Sequence, residues 1–593
     1  MKKFNLISEY KGYINKADIT NTDPRFLVAP SQNVIINDGE RVGIRQGYTL
    51  FGAANASLTP IESSYDWITS TNVERNLRAY DDKLEVYYDG SWQVLEDGWT
   101  SVAFQFAEWW STTEVKDHLL FVNGSSNIYM WSGGITTFAS ATANTITKEG
   151  STTWAEDRFL LAGTRQVVIG GTTYTYTGGE GTTTLTGVTP DPSAGGHSAG
   201  DTVFQKVRTT ANSATTGLPS AFNNDLIKTL DNYVYFGDLN RRDIYISKNT
   251  DYTNFSFTTP VRVPGEGALI TLDSSPVGFV VEDNAMYVTG TKDDWYQTKI
   301  TPSADLTNET LSIVKLKSGP GQGAYAQDSI GNIKNSVIYF SNEKTIDTIG
   351  RVENIDTPQS RPLSDPIKSE LLAYDITIAP HVKYFKSKTY ITFPSESKVL
   401  VYDHTRKFWL PPWTMPIRKF AIIDGELHGH SNAIPETYKL FDGITDNGNP
   451  INAIAAFAYR NYGQPSWNKA FDEWYTEGYI SAATELTMAL KYDFGGYTTT
   501  KEATIQGNNA NLIFSTTVDN SLGKYPIGHQ PLGSITDSPS ELSKFRAILE
   551  VEKVDMYEVQ VIYQTNAEDA QWDLLRFGAN VSLATTIDTS IKI

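Results

Sequence analysis

The most informative absence from this 593-residue sequence is cysteine, of which there is none. A chain without cysteine can form no disulfide bond, no thiolate-bound zinc site and no cysteine nucleophile. The sequence therefore predicts a protein whose stability comes from packing and hydrogen bonding.

Long hydrophobic runs are also missing. The longest, AIAAFAY at residues 453–459, is far shorter than the roughly 20 residues of a membrane-spanning helix. The N-terminal stretch MKKFNLISEYKGYINKAD becomes polar before a secretory apolar core can form. We therefore expect neither a membrane span nor an export signal.

Basic residues are outnumbered, with 49 Lys and Arg against 68 Asp and Glu and a formal charge of -19. This balance argues against a protein that wraps duplex DNA, because phosphate neutralisation needs clustered cations. It is compatible with a channel through which DNA passes without sticking, since an acidic wall repels phosphate. An ordinary soluble acidic surface, however, explains this balance in most proteins.

Residues that favour strands and tight turns are abundant. The chain is 40% hydrophobic and 12% aromatic, with 32 Tyr and 45 Gly. Such a composition predicts an all-β protein. At this length the chain should form two to four domains, unless a repeat spreads the core over many small units.

A short repeat runs along the chain: an apolar strand, a polar turn, and a second strand that is often aromatic. The stretch YVYFGDLNRRDIYIS at residues 233–247 is one copy, and seven others align with it. The anchors of the eight copies are Tyr80, Phe121, Leu161, Tyr235, Tyr287, Tyr339, Tyr390 and Leu427, with spacings of 41, 40, 74, 52, 52, 51 and 37 residues. A period of about 40 to 50 residues built from strand pairs predicts a β-propeller, here of about six to eight blades. The alternative is a series of unrelated hairpins.

The 74-residue spacing coincides with a change in composition to Gly, Thr, Ser and Pro at residues 170–220. We expect a small inserted β module at 166–222, with a disordered Thr/Gly loop as the alternative. The propeller would then occupy 71–165 and 223–450. An N-terminal β segment at 1–70 and a C-terminal β-sandwich at 451–593 would complete the chain.

Motifs that carry chemistry are scarce. GGEG at 178–181 lacks the Lys and helix of a phosphate-binding loop. His428 and His430 share one face of a strand, but no third ligand is near in sequence, so surface histidines are favoured over a metal site. Trp131, Trp295 and Trp409 occupy recurring blade-edge positions typical of core packing. We predict no catalytic, cofactor-binding or metal-binding residues and no enzymatic activity, with a glycosidase or other hydrolase as a weak alternative.

Arg241 and Arg242 form the charged centre of the copy at 233–247 and could suggest a phosphate clamp. The same turn position holds DDK, NGSSN, GTKDD and SNEK in other copies. Because those turns differ in charge, the position does not require a cation. Arg241 and Arg242 are therefore interpreted as solvated turn residues or as contacts to a neighbouring subunit.

Four passages resemble the tail nozzle proteins of short-tailed bacteriophages, also called tail tubular proteins B. They are SQNVIINDGERVGIRQGYTLFG, the pair EDRFLLAGT and DNYVYFGDLNRRDIYISKNTDYTNFSF, the section from KVLVYDHTRKFWLPP to YKLFDG, and GQPSWNKAFDEWYTEGYI. They are spread from about residue 30 to residue 480, and RQGYTLFG stands where some relatives carry RPGT-like text.

This resemblance implies a structural protein of the virion tail, assembled in the host bacterial cytoplasm. It implies a ring, a homohexamer, that docks a tail adaptor protein and fibres or spikes while DNA passes through its channel without specific binding. A closed ring needs two different self-contacting faces, for which the insert and the terminal domain are the candidates. The alternative function is a receptor- or carbohydrate-binding propeller at a phage tail tip or on a bacterial surface.

Overall fold

The computed structural model of the chain describes residues 5–583 except 16–21, 38–39, 56, 113–114, 160–164, 259–262, 293, 303–308, 317–322, 334–335, 353–354, 463–468, 493–499, 508–512, 516–541, 557 and 568. Strands dominate this part of the chain. Its helices are α1 (Lys368–Ala373) and the 3-10 turns Pro192–Ala194, Asn212–Ala214, Gln327–Ser329, Asp365–Ile367 and Pro394–Glu396.

The first strands belong to later parts of the fold. They are β1 (Asn5–Ile7), β2 (Val34–Ile36), β3 (Val42–Ile44) and β4 (Tyr48–Phe51). Blade 1 follows, with β5 (Ser63–Ile68), β6 (Glu74–Tyr80), β7 (Lys83–Tyr88) and β8 (Ser91–Glu96).

Blade 2 is interrupted by another sheet. Its first three strands are β9 (Gln105–Ser111), β10 (Lys116–Val122) and β11 (Asn127–Trp131). A six-stranded sheet then forms from β12 (Ile135–Thr142), β13 (Thr145–Lys148), β14 (Gln166–Ile169), β15 (Thr172–Thr175), β16 (Thr184–Thr186) and β17 (Thr202–Gln205). The fourth strand of blade 2 is β18 (Arg208–Ala211), which pairs with β11.

Blades 3 to 5 are uninterrupted antiparallel sheets. Blade 3 contains β19 (Leu226–Leu230), β20 (Tyr233–Gly237), β21 (Asp243–Ile246) and β22 (Ala268–Thr271). Blade 4 contains β23 (Pro276–Glu282), β24 (Ala285–Gly290), β25 (Trp295–Pro302) and β26 (Glu309–Leu316). Blade 5 contains β27 (Ile330–Ile333), β28 (Ser336–Phe340), β29 (Ile346–Val352) and β30 (Ile355–Pro362).

The last two blades complete the circle. Blade 6 contains β31 (His381–Phe385), β32 (Lys388–Phe393), β33 (Lys398–Asp403), β34 (Phe408–Trp409) and β35 (Trp413–Thr414). Blade 7 contains β36 (Ile417–Ile423), β37 (Glu426–Ser431) and β38 (Thr437–Leu440), and β4 from the N-terminal region is its outermost strand. One blade is thus built from both ends of the propeller sequence.

The innermost strands of the blades contact one another in order around an axis. Contacts join β9 to β19, β19 to β23, β23 to β27, β27 to β31, β31 to β36 and β36 to β5. The remaining step, from β5 to β9, is made by Tyr65 and Phe106, whose ring centroids are 5.1 Å apart. The chain is therefore a seven-bladed β-propeller, which confirms the predicted fold class.

Tight turns of one type recur between consecutive strands. In the pairs Asp231–Asn232, Asp283–Asn284, Lys386–Ser387 and Asp424–Gly425, both residues have positive φ angles, and each pair joins the first two strands of its blade. Two successive positive φ angles are the signature of a type I′ turn, whose twist matches that of antiparallel strands. In three of the four turns, Asp, Asn and Gly residues, which tolerate positive φ angles, explain why the chain reverses there.

Apolar side chains fill the spaces between neighbouring blades. Separate buried clusters join blade 1 to 2, 2 to 3, 3 to 4 and 4 to 5, and a larger cluster joins blades 5 to 7 to the terminal sheets. Trp131, Trp295 and Trp409 are buried in these clusters, which confirms their predicted role in core packing. A four-stranded sheet cannot bury both faces alone, so stacking of the blades supplies the core.

The inserted module has its own hydrophobic core, which includes Phe138, Trp154 and Tyr174. Its strands occupy residues 135–205, whereas the sequence predicted 166–222. The difference arises from the repeat copy at Leu161. Its second strand is β14 of the module, and residues 160–164 lie outside the described part of the chain. An alternating apolar pattern is common to blade strands and module strands, so periodicity could not separate them.

The C-terminal region forms two packed sheets. These contain β39 (Ala453–Ala456), β40 (Lys469–Ser481), β41 (Glu485–Tyr492), β42 (Thr500–Gln506), β43 (Ile513–Ser515), β44 (Leu542–Met556), β45 (Val559–Thr565) and β46 (Trp572–Leu583). One sheet has the order β39-β45-β41-β42, and the other has the order β2-β3-β46-β40-β44-β43 with β1 also paired to β46. Trp474, Tyr563 and Phe577 pack between them, as expected for a sandwich.

The predicted N-terminal unit at 1–70 is divided among three parts of the fold. Strands β1 to β3 complete the terminal sandwich, β4 completes blade 7, and β5 begins blade 1. The propeller therefore begins before residue 71. Short strands cannot bury a face by themselves, and their partners here lie hundreds of residues away, beyond the reach of local sequence patterns.

Candidate functional site

The axis of the propeller contains a cavity of about 340 Å³. Its wall is formed by β5, β9, β19, β27, β31 and β36, together with the turn before β27. Innermost strands of a propeller present their edges to the axis, so polar side chains there can point into a shared space. The acidic, basic and histidine side chains of this wall are Asp66, Lys228, Asp328, His381, Lys383 and Lys419.

Two ion pairs of this wall join elements that are not adjacent in the ring: β31 to β5, and β36 to the turn before β27. Lys383 Nζ lies 2.6 Å from Asp66 Oδ2, and Lys419 Nζ lies 2.8 Å from Asp328 Oδ2. Asp66 Oδ2 also accepts a 2.8 Å hydrogen bond from the backbone N–H of Ile422. Burial by itself raises the pKa of Asp328, but Lys419 and other nearby cations outweigh it and lower that pKa. Both carboxylates therefore serve as fixed partners of lysines.

His381 is held neutral in the same wall. Burial lowers the pKa of His381 to about 3, although Asp328 opposes the shift. Its Nδ1 accepts a 3.3 Å hydrogen bond from the backbone N–H of Phe420, which places the ring proton on Nε2. A neutral imidazole with this pKa is a poor general base near neutral pH.

Lys228 belongs to the polar lining near blade 2, and Glu108 interacts with it from outside the lining. Glu108 Oε1 accepts a 3.1 Å hydrogen bond from the Tyr65 hydroxyl, and burial raises the pKa of Glu108. Burial lowers the pKa of Lys228, with Glu108 raising and Lys383 further lowering it. The wall thus joins blades through mutually compensating charges, an arrangement suited to holding a ring together.

His428 and His430 lie between blades, contrary to the prediction of surface histidines. His428 is only 2% exposed, and His430 is 0% exposed. The ring centroids of His428 and Phe51 of β4 are 4.4 Å apart. Those of His430 and Trp92 of blade 1 are 6.3 Å apart. Burial lowers the pKa of both histidines. The sequence pattern placed both on one face correctly, but it could not show that blade 1 covers that face.

The seam between blade 7 and blade 1 is filled by a polar network. Arg78 Nε lies 2.7 Å from Glu85 Oε2, and the Tyr80 hydroxyl donates to Glu85 Oε1 at 2.8 Å. Arg78 also donates to Thr437 Oγ1 at 3.0 Å, which leaves that hydroxyl to donate to His430 Nδ1 at 3.0 Å. Aromatic rings flank this network, because Phe51 of β4 and Tyr87 of β7 have ring centroids 4.7 Å apart across the seam.

A second charged site lies on the outer face of the terminal sandwich. The side chain of Glu477, on β40, is only 1% exposed. Its Oε1 lies 2.7 Å from Lys544 Nζ, and its Oε2 lies 2.6 Å from a terminal nitrogen of Arg576. Arg546 lies 3.4 Å away, and the Tyr475 hydroxyl donates to Glu477 at 2.7 Å. Burial by itself raises the pKa of Glu477, but these hydrogen bonds and cations lower it to about 2.

The cations around Glu477 remain open to solvent. The side chains of Lys544, Arg546 and Arg576 are 49%, 47% and 41% exposed. Nearby, Arg41 lies 4.6 Å above the ring of Tyr479. We call this surface the basic face and define it as Arg41, Tyr475, Glu477, Tyr479, Lys544, Arg546 and Arg576. Sequence reasoning missed it, although the alternation of Lys544 and Arg546 around buried Phe545 was a local signal.

Arg241 and Arg242 lie in the turn between β20 and β21 and are exposed. Arg241 Nε is 3.3 Å from Asp238 Oδ2, and another of its nitrogens donates to the Ala221 carbonyl at 3.1 Å. The backbone carbonyl of Arg242 accepts from Leu272 N at 2.9 Å. The structure does not bring this pair to the cavity, the seam or the basic face. A role in subunit contact stays a prediction.

Within the described ranges, no group of three or more His, Asp or Glu side chains is arranged to hold a metal ion. The same residues contain no helix that is both long and apolar enough to cross a membrane. What this part of the chain offers is charged surfaces and ring-closing networks.

Neither protein-family models nor curated proteins gave a match to this chain. Among solved structures, it is similar to BBS1N in complex with ARL6DN at 11% identity and a TM-score of 0.32, covering 67% of this chain and 98% of that one. It is also similar to Kluyveromyces lactis Hsv2 at 8% identity and a TM-score of 0.24, covering 60% and 97%. A chain of a mitotic checkpoint complex matches at 8% identity and a TM-score of 0.31, covering 70% and 97%. Because these TM-scores are low, the propeller assignment rests on the sheets described above.

Proposed function

We propose that this chain is a structural protein of a short-tailed bacteriophage tail, a nozzle subunit that forms a ring around the DNA ejection channel. In this role it docks the tail adaptor protein and fibres or spikes, in a virion assembled in the host bacterial cytoplasm. The observation that carries the proposal is a closed propeller from which two further β units extend, one inserted in blade 2 and one formed by both chain termini. Residues spread over most of the chain resemble nozzle proteins and support it.

The architecture suits a load-bearing wall. Apolar clusters join successive blades, and Arg78, Thr437 and His430 join the first blade to the last. Radial repetition leaves only short sheet edges at the circumference, and the packing of each blade on its two neighbours stiffens the ring.

The two extensions suit lateral contacts. The inserted module has a core of its own and is anchored to blade 2 by the pair of Arg158 with Asp117, so it is a firmly held extension that can engage a neighbour. A ring of identical subunits requires two different contacting surfaces on each subunit, and two separate extensions supply them. The overall charge of -19 supports a wall that does not retain DNA.

Negative-stain imaging and mass measurement of the purified full chain, with and without tail adaptor and fibre proteins, test the proposal. A six-fold ring with a central hole, which adds to the adaptor, is the expected result. A particle that stays monomeric with all tail components and binds glycans on an array would instead support the receptor- or carbohydrate-binding alternative.

A further inference from the structure

Two surfaces of the chain carry opposite charge, and they belong to the two extensions. The basic face places Lys544, Arg546 and Arg576 around a single carboxylate, Glu477, which leaves an excess of two positive charges. Each of the three cations is more than two-fifths exposed. On a chain with a formal charge of -19, such a patch is an exception that favours an acidic partner.

The inserted module presents the opposite charge. Between residues 135 and 205 the sequence contains six acidic residues and three basic ones. The basic residues are already engaged: Lys148 with Asp157, Arg165 with Glu180, and Arg158 with Asp117 of blade 2. The side chains of Lys148 and Arg158 are almost completely buried, so they add little positive charge to the module surface.

The remaining acids of the module face solvent. Glu149, Glu156 and Asp191 are exposed, and the Asp201 side chain is 41% exposed. Their hydrogen-bond partners are neutral groups of the module, namely Thr137 for Glu149, Thr153 for Glu156, Ser193 for Asp191 and Ser198 for Asp201. We call Glu149, Glu156, Asp191 and Asp201 the acidic face.

We propose that the acidic face of one copy binds the basic face of a second copy of this chain. Such a contact joins two different surfaces, so it propagates head to tail and closes into a ring when the rotation per subunit allows. Tyr475 and Tyr479 give the basic face partly buried aromatic rings, a residue type enriched at protein interfaces. This inference rests on the proposed function and names the partner surfaces within the ring.

A second copy fits this surface better than nucleic acid does. Glu477 already neutralises one of the three cations, and the remaining excess of two is small beside the clustered Lys and Arg that bind a phosphate backbone. Separate carboxylates on a folded module can instead approach the exposed ends of the lysine and arginines individually. The charges also match in kind: carboxylates pair with guanidinium groups through parallel hydrogen bonds.

Cross-linking with a zero-length carbodiimide reports the contact directly. A mixture of unlabelled and nitrogen-15-labelled full-length chains is cross-linked at low salt and digested. The expected product joins Lys544 to Glu149, Glu156, Asp191 or Asp201 in peptides that mix the two labels. Peptides joined only within one label would reveal a contact inside a single copy and would overturn the inference.

Charge neutralisation tests the energetic role of the acidic face. The variant Glu149→Gln/Glu156→Gln/Asp191→Asn keeps side chains that can accept the local hydrogen bonds, and we expect self-association in sedimentation to weaken about tenfold or more. The matched control is Asp97→Asn/Glu343→Gln/Glu485→Gln, which removes the same charge from exposed residues elsewhere and should change association little. Raising the salt concentration should weaken the wild type and the control but scarcely affect the module variant.

A charge exchange tests the basic face. Lys544→Glu should weaken association, and combining it with Glu149→Lys/Glu156→Lys should restore at least part of the loss. Arg546 and Arg576 remain beside Glu477 in these variants, and circular dichroism verifies folding. If Lys544→Glu fails to fold, Lys544→Gln replaces it in the same measurement, with an expected weakening of association.

The outcomes separate this inference from the proposed function. A wild-type ring without the mixed cross-link, unaffected by all variants, would overturn the contact but leave the nozzle proposal standing. A chain that stays monomeric with its tail components would overturn both. Binding of a DNA oligonucleotide that is lost in Lys544→Gln, with unchanged assembly, would overturn the contact and assign the basic face to nucleic acid.

Discussion

Closure of the propeller should depend on Arg78 more than on any exposed charge. Its side chain is 3% exposed, and that of its partner Glu85 is 7% exposed. Removing one member of a buried ion pair leaves the other charge without compensation, at a cost of about 3 to 5 kcal/mol. Arg78 also lies 4.2 Å above the ring of Trp92, a contact worth about 1 kcal/mol or somewhat more.

We therefore expect Arg78→Ala to lower the free energy of unfolding of the propeller by about 4 to 6 kcal/mol. In a domain of this size, each kcal/mol lowers the melting temperature by roughly 1 to 2 °C, which gives a fall of about 5 to 10 °C. Because Arg78 on β6 bonds to Thr437 on β38, and β38 pairs with β4, hydrogen exchange should increase first in these three strands.

The same reasoning predicts what should rescue the variant. In Arg78→Met/Glu85→Gln no charge remains buried, so at least half of the lost stability should return. Lys439→Ala is the control. It breaks an exposed ion pair with Glu426 inside blade 7 and should lower the free energy of unfolding by less than about 1 kcal/mol. Equal melting temperatures for Arg78→Ala and Lys439→Ala would refute the assignment of ring closure to this network.

Three further predictions concern the extensions. The lowered pKa of Glu477, about 2 in the fold against an ordinary 4.5, means that its charge stabilises the sandwich above pH 4.5 and that this contribution disappears as pH falls through 2. Glu477→Gln should lower the free energy of unfolding by about 1 to 2 kcal/mol at pH 7, allowing for solvent screening of the cations. In denaturant titrations at pH 3 the loss should be smaller, and an equal loss at both pH values would contradict this assignment. Trp154→Ala removes a buried ring and should destabilise the inserted module by about 3 to 5 kcal/mol. Limited proteolysis should then cut first within residues 135–205. Trp110 is exposed, so Trp110→Ala should leave the cleavage pattern unchanged. Because Met130 pairs with Arg208, a short turn can replace the whole module. This deletion should lower the propeller melting temperature, since it removes Arg158 from Asp117 and Ile135 and Phe204 from the cluster between blades 1 and 2, but the propeller should still melt in one transition. It should also impair ring formation by mass measurement, and an intact ring would count against the module as a contact.

The repeat was visible in the sequence because each blade contains a local hairpin. Seven of the eight aligned copies correspond to the second and third strands of blades 1 to 7, including the copy at 233–247. The eighth, at Leu161, belongs partly to the module, because a short alternating strand looks the same in either sheet. Pattern alone therefore identified the fold class and misplaced the module boundary.

The candidate sites were less accessible to sequence reasoning. His428 and His430 were correctly placed on one face of a strand, but their burial depends on Trp92 and Phe51, which lie more than 300 residues earlier. The basic face brings Arg41 together with residues beyond position 470, through pairing of β3 with β46. Side chains so distant in sequence leave no periodic signal that links them.

By itself, the sequence determined the all-β class, the blade hairpins and the reliance on packing in place of disulfides, because alternation, turn residues and composition are local properties. Only the tertiary structure decided the number of blades, the use of β4 to close the last one, and the merging of both termini in one sandwich. It also decided which charges are buried as ring-closing networks and which face solvent. Those outcomes depend on pairing and burial between distant segments, whose free energy no single stretch of the chain contains.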